Sequence, residues 1–313
     1  MEATKDDINL AFSFDQNYIK PFFVLLTSIF ANNQNEPFHF HLVLTNAEIT
    51  EKAKISAFVE ANNSRISFYY IDIDYVRSFA PPSERYGLAT FYRLLLPGML
   101  PATISKFIYL DIDIIVVGKL RELYEIPMGD TPVAAVSEPV DYARPDLGLF
   151  TVGEYFNAGV LLINLPAWQQ QQIAENAINF LKNFPEKAIY LDQDALNAVL
   201  VRNWQQLDDK FNFTWRSIPY IAKAELRKFV ATKTIVHYNT SIKPWHRLSS
   251  GRLDYIYHNF FNLSPVKNMH RFSSGKLKWE ELSKYIFSKM SNAYFSNALI
   301  YKSAKMIKNI FSK

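Results

Sequence analysis

The stretch FIYLDIDIIVV, residues 107–117, constrains this chain more than any other. Phe107, Ile108, Tyr109 and Leu110 read as a buried strand, and Ile114 and Ile115 resume it beyond two carboxylates, Asp111 and Asp113. Ionised carboxylates within an apolar run are costly unless something pairs with them. Separated by one residue at a strand end, they point the same way. Two hard oxygen ligands on one side of a strand suit a divalent cation such as Mg2+ or Mn2+. Asp-x-Asp alone is a weak pattern, and it occurs three times, as Asp72/Asp74, Asp111/Asp113 and Asp192/Asp194. Asp72/Asp74 follows the strand RISFYYI and reads as a solvated strand end. The middle pair stands out because it leaves the most apolar strand near the centre of the chain.

Around that stretch the sequence alternates strands with helices. INLAFSF (8–14) is a strand ending at Asp15, residues 18–32 a buried helix with apolar positions three and four apart, and FHFHLVLT (38–45) a second strand. Residues 48–61 read as a helix with Thr50 as a cap, and RISFYYI (65–71) as a third strand. This order predicts β-α-β units and a mostly parallel sheet. Ligands of such sheets sit at the carboxyl ends of the strands, so Asp15 and Asp111 can share one crevice. LATFYRLLL (88–96) reads as a helix closed by Pro97-Gly98, with Arg93 its one charge. A buried arginine needs an anionic partner, either in a structural ion pair or in the Asp111 carboxylates and substrate.

Further along, PVAAVSE (132–138) is a strand and residues 139–155 a long loop, a length that is often functional. YFNAGVLLINL (155–165) places Asn157 and Gly159 at the mouth of an apolar strand, either to admit a ligand or to mark a bulge. Residues 166–183 form an amphipathic helix. YLDQDALNAVL (190–200) opens another, with Asp192 and Gln193 at an N-terminus that favours anions, or with Asp192 as a simple cap. VHYNTSIKPWH (236–246) crowds His237, Lys243, Trp245 and His246 into one loop. His237 is either structural or a metal ligand or acid, and Lys243 can neutralise a phosphate.

With 313 residues, 49% apolar and 15% aromatic, the chain can bury one large α/β domain plus an appendage. The absence of cysteine excludes disulfides, thiolate nucleophiles and Cys-ligated zinc, and fits a reducing compartment. MEATKDD is acidic and polar, so no secretory leader is expected, and the apolar stretch from Phe22 to Ala31 is too short to span a bilayer. The net charge of +4 belongs to the tail, where residues 276–313 hold eight lysines against two glutamates. The near-neutral body argues against nucleic-acid binding. In the tail, Leu282, Ile286, Met290, Ala293, Ile300, Ala304, Ile307 and Phe311 recur at three- and four-residue steps among lysines and aromatics. That pattern suits a membrane-surface helix or a helix docked on the domain.

FDQNY, ATFYRLLLP, KFIYLDIDIIV, YFNAGVLLINL, LDQDALN and HYNTSIKPWH, in this order over residues 7–262, resemble glycosyltransferase family 8, the retaining nucleotide-sugar transferases. The resemblance is greatest to bacterial lipopolysaccharide and lipooligosaccharide galactosyl- and glucosyltransferases. It implies an α/β GT-A fold, a Rossmann-like mixed sheet flanked by helices, over residues 1–262. A basic helical tail over 263–313 would associate with the membrane. It implies Mn2+ (or Mg2+) on Asp111, Asp113 and His237, and a UDP-galactose or UDP-glucose donor. Asp15 and Asn17 match positions holding uridine, with Ser13, Ile112 and Thr240 also among the donor-binding positions. Arg93, Asn157 and Ala158 match positions at the donor sugar, Asp192 and Gln193 the catalytic pair at the reacting carbon, and Lys243 the lysine on the diphosphate. Thr240 stands where the family often has glycine and resists positive φ. Arg85, in a variable loop, takes no role.

The expected reaction moves galactose or glucose, with retention, to a glycolipid or oligosaccharide acceptor, at the inner face of the cytoplasmic membrane. Two alternatives are a family member acting on a protein or another polysaccharide, and a nucleotide-sugar-binding protein without catalysis. The latter predicts an eroded metal site.

Overall fold

The computed structural model describes residues 7–268 apart from 46–48, 84–86, 220, 241 and 247, together with 283, 285, 286, 289 and 290. Strand β1 (Ile8–Asp15), helix α1 (Ile19–Asn32), β2 (Phe38–Thr45), α2 (Ile49–Glu60) and β3 (Arg65–Tyr69) make two successive parallel units. Period-two alternation sorts their side chains. Leu10, Phe12 and Phe14 join Phe40, Leu42 and the α1 residues Phe22, Leu25, Leu26 and Ile29 in one core, while Ala11 and Val43 join a second. Then follow α3 (Ile73–Arg77), α4 (Tyr92–Leu95), β4 (Lys106–Leu110), β5 (Ile114–Val116), α5 (Leu120–Tyr124), β6 (Val133–Ser137) and β7 (Phe156–Asn164). The remainder comprises α6 (Leu165–Gln170), α7 (Ile173–Asn183), α8 (Asp192–Val199), β8 (Gln205–Gln206), β9 (Phe213–Thr214), α9 (Lys223–Val230), β10 (Ile235–His237) and α10 (Asp254–Leu263).

Seven strands form one sheet in the order β3-β2-β1-β4-β7-β6-β8, and three form a smaller one in the order β5-β10-β9. The large sheet is mixed, because β7 runs antiparallel to both β4 and β6. The fold class is the α/β mixed sheet with flanking helices that the family resemblance implies.

The stretch at residues 107–117 is not one interrupted strand. β4 pairs with β1 and β7 in the large sheet, whereas β5 pairs with β10 in the small one. Asp111, Ile112 and Asp113 are the crossing between two sheets, and no strand alternation aims the two carboxylates. The predicted helix at 88–96 is mostly 3-10 turn, with Leu88–Phe91 and Leu96–Met99 flanking the single turn of α4. The predicted helix at 166–183 is split at Gln172, whose φ is 52°. Asp72 is exposed to solvent as expected, but it is the N-cap of α3 rather than a strand end, accepting from the backbone N–H of Asp74 (2.9 Å) and Tyr75 (3.3 Å). Thr50 lies inside α2 rather than capping it.

Among the described residues no helix is long and apolar enough to cross a membrane. The expectations for Arg85 and for most of the tail fall outside the described residues. Within the tail, Ile286 and Met290 are exposed, and the Lys289 ammonium lies 5.4 Å from the centre of the Tyr285 ring.

Candidate active site

Where β4 hands over to β5, the small sheet brings β10 alongside, with His237 in register with Ile114. Asp111, Asp113 and His237 thereby place one ligand atom each within 4.8 Å of one another. His237 Nε2 lies 3.2 Å from Asp113 Oδ1 and 4.0 Å from Asp111 Oδ2. Two carboxylate oxygens and one imidazole nitrogen make a donor set suited to a divalent cation. Gly159 makes room for it. A Cβ there would sit 2.3 Å from the His237 ring and 2.9 Å from Asp111 Oδ2. The glycine at the mouth of β7 therefore admits the neighbouring imidazole.

Charge is balanced around this group. Lys243 pairs with Asp113 and also donates to the Tyr238 carbonyl (2.9 Å). Burial pushes the Asp113 carboxyl up, but Lys243 and His237 outweigh it and hold it well below the usual carboxylate range. Arg93 is 7% exposed and joins the two acidic motifs, with Nη2 2.9 Å from Asp111 Oδ1 and Nε 2.7 Å from Asp192 Oδ2. It also donates to the Ala158 carbonyl and lies 4.8 Å above the Tyr109 ring. Burial works against its charge, yet Asp111 and Asp192 keep it fully protonated.

Asp192, the first residue of α8, does not cap its own helix. Its Oδ1 accepts from the Thr90 hydroxyl at 2.7 Å. Oδ2 has the Arg93 charge beside it but no hydrogen-bond donor, because the Arg93 Nε–H is aimed at the Thr90 carbonyl (3.3 Å). Burial raises the Asp192 carboxyl to about 6, despite Arg93 and Thr90. Leu191, immediately before it, holds φ 52° and ψ −118°, a region a branched residue enters only under strain. Gln193 is tied at both ends, its Oε1 accepting from the Ala158 N–H (2.9 Å) and its Nε2 donating to the Tyr155 hydroxyl (2.9 Å).

These groups line one cavity of about 970 Å³, together with Ser13, Asp15, Ile112, Asn157 and Thr240. Asp15 caps the following turn by accepting from the Asn17 N–H (2.8 Å). Asn17 itself is exposed and Ala158 is buried, and neither is part of the cavity wall. Thr240 is not among the residues with left-handed φ, so a β-branched residue fits its place in the loop. Its hydroxyl donates to the Ile242 carbonyl at 2.8 Å.

Several participants were not among the expected site residues. Asp194 is fully buried beneath Gln193, where it accepts from Tyr155 and from Arg144 Nη1 (2.9 Å). Burial raises its carboxyl, against those partners. Glu138 accepts from Asn157, and Asn212 bonds His237 Nδ1 (2.9 Å). Glu138 ends a strand, as Asp15 does, and the same rule would have found it. Nothing in FNFT (211–214) marks Asn212.

Residues 9–249 match Glycosyl transferase family 8. The chain is 31% identical over 255 residues to the lipopolysaccharide 1,3-galactosyltransferase of Salmonella typhimurium, covering 77% of this chain and 74% of that protein. It is 27% identical over 261 residues to the lipopolysaccharide 1,2-glucosyltransferase of Escherichia coli K12, with 78% and 74% covered. In three dimensions it is similar to the galactosyltransferase LgtC, solved with donor and acceptor sugar analogs, with a TM-score of 0.71 at 23% identity, covering 88% of this chain and all of that one. That likeness shows a shared GT-A fold. The matching block contains Asp111, Asp113, Asp192, Gln193, His237 and Lys243, and the chain belongs to glycosyltransferase family 8.

Proposed function

We propose that the protein is a retaining hexosyltransferase that moves galactose or glucose from its UDP-sugar to a lipopolysaccharide or lipooligosaccharide acceptor. The observation that carries this reading is the convergence in one cavity of Asp111, Asp113 and His237 with Lys243, and of Asp192 with Gln193 across the Arg93 bridge. The donor set fits Mn2+, with Mg2+ as second choice, and such an ion supplies positive charge to a departing diphosphate. Lys243 adds charge from the protein at the same place. Asp15, with Ser13, is suited to the uridine end of the cavity, while Asn157 and Asp192 face the sugar. Asp192 lines the cavity, and a carboxylate there suits a sugar hydroxyl as hydrogen-bond acceptor.

Gln193 reads as a holder of the donor sugar rather than a nucleophile. Its amide is engaged at both ends, and an amide oxygen is a weak nucleophile. Retention then follows from attack on the face that the diphosphate leaves. The acceptor hydroxyl forms the new bond to the anomeric carbon as the bond to phosphate oxygen breaks, and its proton passes to that oxygen.

The acceptor class rests on the named activities of the relatives and on the basic tail. The body is taken as residues 1–262 and the tail as 263–313, held at the inner face of the cytoplasmic membrane. Ser264 and Val266 still pack on the body, so any lipid contact belongs to the lysine-rich part beyond them. UDP release from UDP-galactose and UDP-glucose, with Mn2+ and with EDTA, tests the reading. Release that vanishes with EDTA and in Asp113→Ala is expected. Equal release by the variant would overturn the assignment of the site.

A further inference from the structure

The inference drawn here rests on the metal reading above and concerns what aims His237. Four buried side chains form a hydrogen-bonded line from the cavity wall to the imidazole. Glu138 is 8% exposed, Asn157 5%, Asn212 3% and His237 3%. Two groups that cannot reverse roles set its direction. The Glu138 carboxylate can only accept and the Gly159 backbone N–H can only donate.

Both bind Asn157. Its Nδ2 donates to Glu138, and its Oδ1 accepts from Gly159 N–H at 3.0 Å. The orientation of this amide is therefore decided by its surroundings. The same Oδ1 lies 2.8 Å from Asn212 Nδ2, which must donate to it. Asn212 then has only its Oδ1 to offer to His237 Nδ1, at 2.9 Å. An acceptor at Nδ1 requires a proton there, so the nitrogen left to give a lone pair to a cation is Nε2, which lies 3.2 Å from Asp113 Oδ1 and 4.0 Å from Asp111 Oδ2. Flipping either amide would place oxygen against oxygen or hydrogen against hydrogen within the buried line.

We propose that Asn212 is a positioning residue of the metal centre: anchored through Asn157 to Glu138, it holds His237 as the Nδ1–H tautomer with Nε2 presented to the cation. Glu138 borders the cavity beside Arg216, whose Nε lies 4.0 Å from the second Glu138 oxygen. Asn157 is thus held by the same residue that orients the metal ligand.

The test compares Asn212→Leu with Asn212→Asp in the full-length protein. Mn2+ alone is titrated in, and free Mn2+ is read by electron paramagnetic resonance. Leucine removes both bonds, and a loss of roughly tenfold to a hundredfold in Mn2+ affinity is expected, the range for outer-shell partners of metal ligands. Aspartate keeps the acceptor for Nδ1–H but cannot donate to Asn157. Mn2+ affinity is expected to stay near that of the unchanged protein while the KM for the UDP-sugar rises. Unchanged affinity in Asn212→Leu, or a loss in Asn212→Asp as large as in leucine, would overturn the proposal. Should the leucine variant not fold, the aspartate variant decides alone: a loss of Mn2+ affinity of about tenfold or more in it would overturn the proposal. Failure of the unchanged protein to bind Mn2+ would instead remove the metal reading, and this inference with it.

Discussion

At the scale of single residues the site depends on close approach and on paired charge. Gly159 has no left-handed φ to justify it, and its value is the space its missing Cβ leaves for the His237 ring. Gly159→Ala places a methyl group 2.3 Å from that ring, and backbone β7 on one side cannot yield. We expect a folded protein whose Mn2+ affinity and UDP release fall together by at least tenfold, the scale of a displaced ligand. Calorimetry with Mn2+ and a UDP-release assay check this, and wild-type affinity in the variant would refute the steric argument. Arg93 was recognisable as the one charge in an apolar segment. Which carboxylates it would join was not, because Asp111 and Asp192 stand 81 positions apart and meet only through the fold.

At the scale of elements, β2 carries a polar patch within an otherwise apolar sheet. His41 is fully buried, between Asn9 Oδ1 (3.0 Å) and the Tyr69 hydroxyl (2.8 Å), with the His39 ring 4.0 Å away. Burial, then His39 and Arg65, lowers it from 6.5 to about 3. Asp7, which faces His39 and Arg65, acts in the opposite sense on His39. Because the unfolded chain takes up this proton and the folded chain does not, stability is complete above about pH 6.5 and declines towards about pH 3. Between pH 7 and pH 4 the loss should be about 2–3 kcal/mol, at 1.36 kcal/mol per unit. Urea titrations at both pH values measure it, and His41→Asn should shrink the difference. An unchanged difference would show that His41 is not the group responsible. Element types were legible from periodicity, but their ends and breaks were not. The split of residues 166–183 at Gln172 and the 3-10 turns around α4 come from packing against the second core, which local pattern does not encode.

At the scale of the whole molecule, charge is divided between a near-neutral body and a tail with eight lysines. If the tail anchors the enzyme, removing residues 276–313 should abolish sedimentation with anionic liposomes and leave UDP-sugar hydrolysis intact. Retained liposome binding would assign the contact to the body. The order of strands and helices, the acidic turn after the central strand and the HYNTSIKPWH loop were readable in the chain, and they led to the family. They are local: hydrophobic period and residue type act over a few positions, and six short blocks in register are specific enough to identify a fold. What the sequence determined by itself was therefore the class of sheet, the family and most of the chemistry-bearing residues. Only the tertiary structure decided how those residues meet. The chain crosses between two sheets at Asp111–Asp113, Arg93 bridges two acidic motifs, and Glu138, Asn157 and Asn212 line up behind His237. The physical reason is that a hydrogen bond between buried groups depends on distance and direction. Residues 138, 157, 212 and 237 acquire those only when β6, β7, β9 and β10 are brought together.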